Sequence, residues 1–170
     1  MSFLQPVRPA LRPLRSHLPA LTGQRRSIIT VRERQYTAHA TASGQGRTGH
    51  VKSHDDGGIE LTLAVPTVFG GTGKGQNPEQ LLAMGYSEPA CFLNAIQTVA
   101  RSKGLDDIAR DALVHAEVHI GPPNQVEGFA IEVDIKVQGV DDEELIKEGH
   151  KLCPYSRALN HGALVNVSKA

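Results

Sequence analysis

The order of alternating and apolar segments along the chain does most to limit its fold. Alternation of apolar and polar residues predicts strands at 36–42, 47–53, 59–65, 114–120, 129–137 and 164–167. A largely apolar helix is predicted from Asn77 to about Ala100, and a second helix begins at the acidic run 141–144. Strands grouped before and between helices are typical of an α+β fold rather than of a parallel sheet with alternating helices. The sequence therefore predicts a single α+β domain over residues 36–170.

The first 35 residues differ in composition from the rest. Six arginines and no lysine, aspartate or glutamate lie within the first 32 residues, whereas residues 36–170 hold 11 basic and 17 acidic residues. An Arg-rich, acid-poor start is typical of a mitochondrial transit peptide, and residues 25–28 resemble a processing region. We therefore predict that residues 1–35 direct the protein to the mitochondrial matrix. A disordered basic tail is the alternative, because four prolines in this segment oppose a helix.

Composition argues against several classes of function. The acidic balance of residues 36–170 argues against a nucleic-acid partner. No run of 18 apolar residues is present, so no membrane span is expected. Two cysteines are too few for a framework of structural disulfides. His115 and His119 are four residues apart, but they fall in a predicted strand without a third ligand, so no metal site is expected.

Four side chains are candidates for thiol chemistry. Cys91 lies in the apolar stretch after Asn77, and Cys153 lies near the end of the second predicted helix. A cysteine sulfur attacks as the thiolate, and a neighbouring positive charge favours that form. Arg47 could hold Cys91 as the thiolate, because a guanidinium stays charged at any working pH. Glu79 could accept hydrogen bonds from that guanidinium and orient it.

Each of these residues also has a plainer interpretation. Cys91 alone would more often be a core cysteine, and Cys153 alone a packing residue at the end of a helix, since free cysteine is among the most buried residue types. Arg47 could be an exposed loop residue, and Glu79 could be an acid in the first turn of a helix. Tyr86 and Phe92, on either side of Cys91 in sequence, are interpreted as core residues rather than substrate contacts.

Taken together, the motifs resemble those of the organic hydroperoxide resistance (Ohr) proteins of the Ohr/OsmC family. The matching segments are Gly46-Arg47-Thr48-Gly49, Asn77-Pro78-Glu79-Gln80-Leu81, Met84-Gly85-Tyr86-Ser87, Ala90-Cys91-Phe92-Leu93 and Cys153-Pro154-Tyr155-Ser156. The similarity covers about residues 36–168. It implies an OsmC-like fold, in which antiparallel sheets pack on a central apolar helix, and an intertwined homodimer.

The same resemblance implies an activity and a role for each candidate. It implies a thiol peroxidase that reduces organic hydroperoxides, fatty-acid hydroperoxides among them, to alcohols. Cys91 would be the peroxidatic cysteine and Cys153 the resolving one, with Arg47 and Glu79 as polar partners. No bound cofactor is implied. The reductant of the Cys91–Cys153 disulfide would be dihydrolipoamide or a lipoylated subunit of a dehydrogenase complex. A non-catalytic protein that binds a hydrophobic ligand, or a redox sensor, is the alternative.

One departure from the family pattern affects the expected geometry. The segment between Glu79 and Cys91 is two residues longer than the pattern, and Glu88-Pro89 looks like the insertion. Two residues added to an ideal helix rotate its later part by about 200°. We therefore expect a kink or bulge at residues 87–90 that returns Cys91 toward Arg47. In that position the pKa of Cys91 should lie below its ordinary value.

Overall fold

A three-stranded antiparallel sheet comes first among the described strands and helices. The computed structural model describes residues 28–87 and 91–169. The sheet consists of β1 (Ala40–Gln45), β2 (Thr48–Ser53) and β3 (Glu60–Leu63), in that order. Every residue of β1 is exposed, so the rest of the described chain leaves this outer strand uncovered.

A second sheet pairs β4 (Leu113–Gly121) with β5 (Ala130–Gln138), again antiparallel. Its period-two alternation turns one face toward the core, where Val114, Val133 and Val137 pack against buried residues. Polar side chains occupy the opposite face. Both strands predicted for this region are confirmed to within one residue at each end.

The predicted long helix is two helices, α1 (Pro78–Ser87) and α2 (Phe92–Ser102). A reciprocal cap explains why α1 begins where it does. The backbone N–H of Gln80 donates to Asn77 Oδ1 at 2.8 Å, and the backbone N–H of Asn77 donates to Gln80 Oε1 at 3.0 Å. Two N–H groups that the helix itself leaves unpaired are thereby satisfied.

Two further helices follow β5, namely α3 (Glu143–Leu152) and α4 (Pro154–His161). The carboxylate of Asp142 caps α3, because it accepts from the backbone N–H groups of Glu144 at 2.9 Å and Leu145 at 3.0 Å. A proline opens α4, a position where its fixed φ suits the helix and its missing N–H costs nothing.

The core forms where α2 crosses α3. Phe92 and Ile96 of α2 and Leu145 of α3 are among the largest fully buried side chains. Gly149 permits the close crossing, because a Cβ at this position would lie 2.6 Å from Ile96 Cγ1 and 3.1 Å from Ile96 Cα. No other residue type fits this position without moving α2 away from α3.

Several sequence predictions need correction. The strand predicted at 164–167 is wrong, because residues 162–169 have no regular secondary structure, and α4 was not predicted. The first strand begins at Ala40 rather than at residue 36. The expected kink falls partly on residues 88–90, and the predicted transit peptide falls mostly on residues 1–27. Both of these segments lie outside the described residues.

Large apolar side chains are exposed on several elements. Val68 is 81% exposed, Phe129 69% and Ile131 45%. Apolar area of this kind is commonly covered by another protein surface. Within residues 28–87 and 91–169, no helix has the length and apolar character needed to cross a membrane.

Candidate active site

The two cysteines lie side by side in the core, although 62 positions separate them in sequence. Cys91 Sγ is 2.9 Å from Cys153 Sγ, and the side chains are 8% and 0% exposed. Cys91 immediately precedes α2, and Cys153 lies between α3 and α4, so the packing of α2 on α3 brings the thiols together. A disulfide bond is about 2.05 Å long, so the sulfur atoms need to approach by roughly 1 Å to form one.

The first turn of α4 faces the sulfur of Cys91. The backbone N–H of Tyr155, the second residue of this helix, lowers the pKa of the Cys91 thiol. The side chain of Cys153, which precedes the helix, makes no capping hydrogen bond of its own. A helix N-terminus carries partial positive charge, so this arrangement favours a negative charge on Cys91.

Burial opposes that effect and dominates in the single chain. The pKa of Cys91 is raised to about 11, and removal of the sulfur from water is the largest cause. The hydrogen bond with Cys153 also raises this pKa, whereas the N–H of Tyr155 lowers it. Arg47 is not among the groups that shift this pKa. The expectation of a pKa below the ordinary value is therefore wrong for the single chain, because the sulfur is desolvated and no guanidinium among the described residues lowers its pKa.

Arg47 and Glu79 form the second pair among the candidates. Arg47 Nη2 lies 2.6 Å from Glu79 Oε1 and 2.5 Å from Glu79 Oε2, and the Glu79 side chain is 16% exposed. Arg47 lies in the turn between β1 and β2, and Glu79 lies in the first turn of α1. Arg47 Nε is buried and has no hydrogen-bond partner among the described residues. The pair ties the three-stranded sheet to the start of α1.

The two pairs lie apart within one chain. Among residues 28–87 and 91–169, neither Arg47 nor Glu79 forms a hydrogen bond or ion pair with a cysteine. Glu79 is at the start of α1, about 12 Å along the helix axis from Ser87. The thiols lie near the other end of α1, where the pKa of Tyr86 responds to both cysteines. The structure therefore joins Cys91 to Cys153 and Arg47 to Glu79, but it does not join the pairs.

A buried hydroxyl pair beside the thiols was not anticipated from the sequence. Tyr86 Oη lies 2.7 Å from Ser156 Oγ, and the two residues are 3% and 1% exposed. Burial raises the pKa of Tyr86, and the hydrogen bond with Ser156 partly offsets this. Ser156 belongs to the motif that follows Cys153, but a serine in a motif does not reveal which distant hydroxyl it meets.

An apolar cavity of about 440 Å³ lies beside Tyr86 and Phe92. Its remaining lining residues come from β5 and α3 and are Val133, Ile135, Ile146, Lys147, His150 and Lys151. Apolar walls with a few polar groups are typical of small-molecule sites. The sequence places Tyr86 and Phe92 in the core rather than at a substrate site. They are buried, and they also line this cavity.

The histidines on β4 are arranged differently from the expectation. His115 approaches Gln138, whereas His119 lies with the carboxylates of Glu117 and Asp134, so that one ligand atom from each falls within 4.8 Å of the others. All three residues of this cluster are exposed. Two further potential ligands therefore accompany His119, but His115 does not belong to this cluster. A lysine ammonium also lies 2.6 Å from the Glu117 carboxylate and competes with any cation there.

Comparison with known proteins agrees with this architecture. The family model described as OsmC-like protein matches residues 71–168. The organic hydroperoxide resistance protein of Xanthomonas axonopodis pv. citri is 40% identical over 139 residues, which cover 79% of this chain and 94% of that protein.

Solved structures give the same result. The crystal structure of the organic hydroperoxide resistance protein OhrB of Bacillus subtilis superposes with a TM-score of 0.62 at 35% identity, covering 75% of this chain and 93% of that one. The crystal structure of an organic hydroperoxide resistance protein of Elizabethkingia anophelis gives a TM-score of 0.64 at 39% identity, covering 77% and 93%. With its α+β fold and its paired cysteines, the chain belongs to the Ohr/OsmC family of OsmC-like proteins.

Proposed function

We propose that this protein is a cysteine-based thiol peroxidase that detoxifies organic hydroperoxides by reducing them to alcohols. The observation that carries the proposal is the buried pair Cys91 and Cys153, whose sulfur atoms are 2.9 Å apart. Family relatives that cover most of the chain bear the name organic hydroperoxide resistance protein, which supports the same substrate class. A thiol pair at this distance suits a cycle of oxidation and disulfide formation.

The chemistry proceeds in two steps. The Cys91 thiolate attacks the terminal peroxide oxygen and the O–O bond breaks, which leaves a sulfenic acid on Cys91 and an alkoxide that takes up a proton to become the alcohol. The Cys153 thiol then attacks the sulfenic sulfur, and one water leaves as the disulfide forms. Because Cys153 is already adjacent, this second step protects Cys91 from further oxidation.

The apolar cavity supports a substrate with a hydrophobic tail. Its walls include Tyr86 and Phe92, which also lie close to the thiol pair, so a tail held there could present its peroxide near Cys91. Lys147 and Lys151 line the same cavity, and an ammonium group pairs with a carboxylate. Fatty-acid hydroperoxides combine these two features, and we include them among the proposed substrates.

A dithiol is the reductant that best suits this cycle. Reduction of the Cys91–Cys153 disulfide takes two electrons, and a dithiol supplies both by exchange through a mixed disulfide, closing to its own cyclic disulfide. We propose dihydrolipoamide, or a lipoylated subunit of a dehydrogenase complex, in this role. The proposed cycle uses no bound cofactor.

The second candidate function is a non-catalytic or redox-sensing thiol protein with a hydrophobic ligand. Two observations favour it, namely the apolar cavity and the raised pKa of Cys91, since a protonated thiol reacts slowly. Such a protein would bind the ligand, or form the disulfide once, without sustained turnover.

Consumption of cumene hydroperoxide and linoleic acid hydroperoxide with dihydrolipoamide separates the two functions. The wild type should turn over. Cys91→Ser should lose at least about 99% of the activity, because the attacking sulfur is gone. Cys153→Ser should complete the first turnover and then accumulate sulfinic acid on Cys91 under excess peroxide, which mass spectrometry detects. Equal slow rates in the wild type and Cys91→Ser would contradict the peroxidase.

The separation of the two pairs supports a site completed by a second chain. Among the described residues of one chain, no cation pairs with the thiols and no thiol contacts the Arg47–Glu79 pair. The outer strand β1 is fully exposed, and large apolar side chains such as Phe129 are uncovered. We propose an intertwined homodimer in which the Arg47–Glu79 pair of each chain lies against the Cys91–Cys153 pair of the other.

Heterodimers of two inactive variants test this arrangement. One chain carries Arg47→Ala, the other carries Cys91→Ser, and two affinity tags isolate the mixed dimer after co-expression. One of its two sites then has both an intact arginine and an intact thiol, so about half of the wild-type rate per dimer should return. Each variant alone should be nearly inactive. If Arg47 serves the cysteine of its own chain, mixing restores nothing.

The pH dependence of thiol alkylation provides a separate test of Arg47. The Cys91 thiolate reacts, so its alkylation rate should rise with pH until the pKa is passed. In the dimer, the guanidinium should lower that midpoint from the single-chain value of about 11. Arg47→Ala should therefore shift the midpoint upward. Arg110→Ala, which removes an exposed arginine paired with Asp107, is the control and should not shift it. Identical midpoints for the wild type and Arg47→Ala would contradict the proposal that Arg47 lies beside the sulfur of Cys91.

We also propose mitochondrial import followed by removal of a presequence. The Arg-rich, acid-free start supports import. Cleavage near residues 25–28 would leave Ile29 in the mature chain, where it lines a cavity with His150 and Ser156.

N-terminal sequencing of the protein recovered from mitochondria tests the processing step. The mature chain should begin near residues 25–28. A chain without residues 1–24 should remain in the cytosol. Recovery from the matrix with the N-terminus intact would contradict processing, and a wholly cytosolic wild type would contradict import.

A further inference from the structure

The last turn of α1 docks on the first turn of α4 through three contacts. Tyr86 Oη and Ser156 Oγ form a buried hydrogen bond of 2.7 Å. The rings of Tyr86 and Tyr155 meet edge to face, with centroids 5.8 Å apart. The Tyr155 ring also lies over Gly85, where an added Cβ would be 3.2 Å from Tyr155 Oη and 3.3 Å from Tyr155 Cε2. These contacts link segments that are 70 positions apart in sequence.

Both cysteines lie close in sequence to the two helix turns that make these contacts. Cys153 immediately precedes α4, and Cys91 follows α1 by four positions, at the start of α2. Tyr86 also packs edge to face on Phe92, the residue after Cys91, with centroids 5.9 Å apart. Tyr86 therefore contacts both the segment that holds Cys91 and the segment that holds Cys153.

The hydrogen bond is the directional part of this docking. Ring contacts tolerate small sliding movements, whereas a buried hydrogen bond is lost when donor and acceptor separate or turn. Neither hydroxyl has another partner among the described residues, so separation would leave two buried polar groups unpaired. The bond therefore penalises any movement of the first turn of α4 away from Cys91.

We propose that the Tyr86–Ser156 hydrogen bond positions Cys153 against Cys91 for the resolving step, and that its loss diverts the oxidised Cys91 from disulfide formation to over-oxidation. This inference rests on the proposed function, because it concerns the second step of the same cycle. Tyr86 and Ser156 act through the cysteines and are positioning residues. In the step they serve, the Cys153 thiol and the Cys91 sulfenic acid give a disulfide and one water, while no further oxidant is consumed.

Three variants of the full-length protein distinguish a role in positioning the cysteines from an effect on stability alone. Tyr86→Phe keeps the ring contacts and removes one hydroxyl, and Ser156→Ala removes the other. Each single variant leaves a buried hydroxyl unpaired and should lose stability, whereas the double variant leaves none and should recover most of it. Val140→Ala, in the core between β5 and α3, is the control for a loss of stability away from both the hydroxyl pair and the crossing of α2 and α3.

The measurement is the partition of Cys91 after oxidation by hydrogen peroxide. Rapid quench and mass spectrometry follow the sulfenic acid, the disulfide and the sulfinic acid, and thermal unfolding is recorded for each variant. The ratio of disulfide closure to initial oxidation should fall about tenfold in Tyr86→Phe and in Ser156→Ala. It should stay low in the double variant although stability returns. The ratio should be unchanged in Val140→Ala.

Three results would overturn the inference. The first is a wild-type ratio in both single variants. The second is recovery of the ratio together with stability in the double variant, and the third is an equal fall of the ratio in Val140→Ala. Hydrogen peroxide as oxidant keeps this outcome separate from the proposed function. If the wild type forms its disulfide but consumes no organic hydroperoxide, the proposed peroxidase function is wrong. The effect of the Tyr86–Ser156 hydrogen bond on disulfide closure can still be measured in that case.

Discussion

The close crossing of α2 and α3 at Gly149 is the constraint on which the candidate site depends. Without a side chain there, the backbone of α3 approaches Ile96 so closely that a methyl group would overlap it. Cys91 precedes one of these helices and Cys153 follows the other, so their crossing determines the distance between the sulfur atoms. Core packing thus sets the separation of 2.9 Å, and with it the ease of disulfide formation.

Burial has two opposing consequences for the chemistry. A dry environment keeps water and bulk oxidants away from the thiols and gives an apolar substrate somewhere to lie. The same environment penalises the thiolate and raises the pKa of Cys91 to about 11 in the single chain. The N–H of Tyr155 offsets part of this penalty, and a second chain that brings a guanidinium to the sulfur would offset more. A site that needs residues from a second chain is consistent with the exposed strand β1 and with the exposed apolar side chains.

Two polar pairs lie at opposite ends of α1, one charged and one neutral. Arg47 and Glu79 form a short ion pair at the start of α1, where they link the first sheet to the helix. Tyr86 and Ser156 form a neutral pair at its end, where they link α1 to α4. In the proposed cycle the charged pair serves the attack on the peroxide, in which negative charge moves. The neutral pair serves the closure of the disulfide, in which the relative position of two segments decides the rate.

The sequence by itself determined the class of fold, the strands β4 and β5, and the residues that could carry thiol chemistry, because alternation and short motifs are local properties. It also indicated the pairing of Arg47 with Glu79. It did not predict α4, and it wrongly predicted a strand at 164–167, which pairs with no strand among the described residues. Val167 in that run is 91% exposed. Only the tertiary structure shows the hydrogen bond between Ser156 and Tyr86. It also shows that Arg47 and Cys91 do not meet within one chain. Contacts of this kind join residues tens of positions apart, and they depend on how helices cross rather than on any periodicity that a local pattern records.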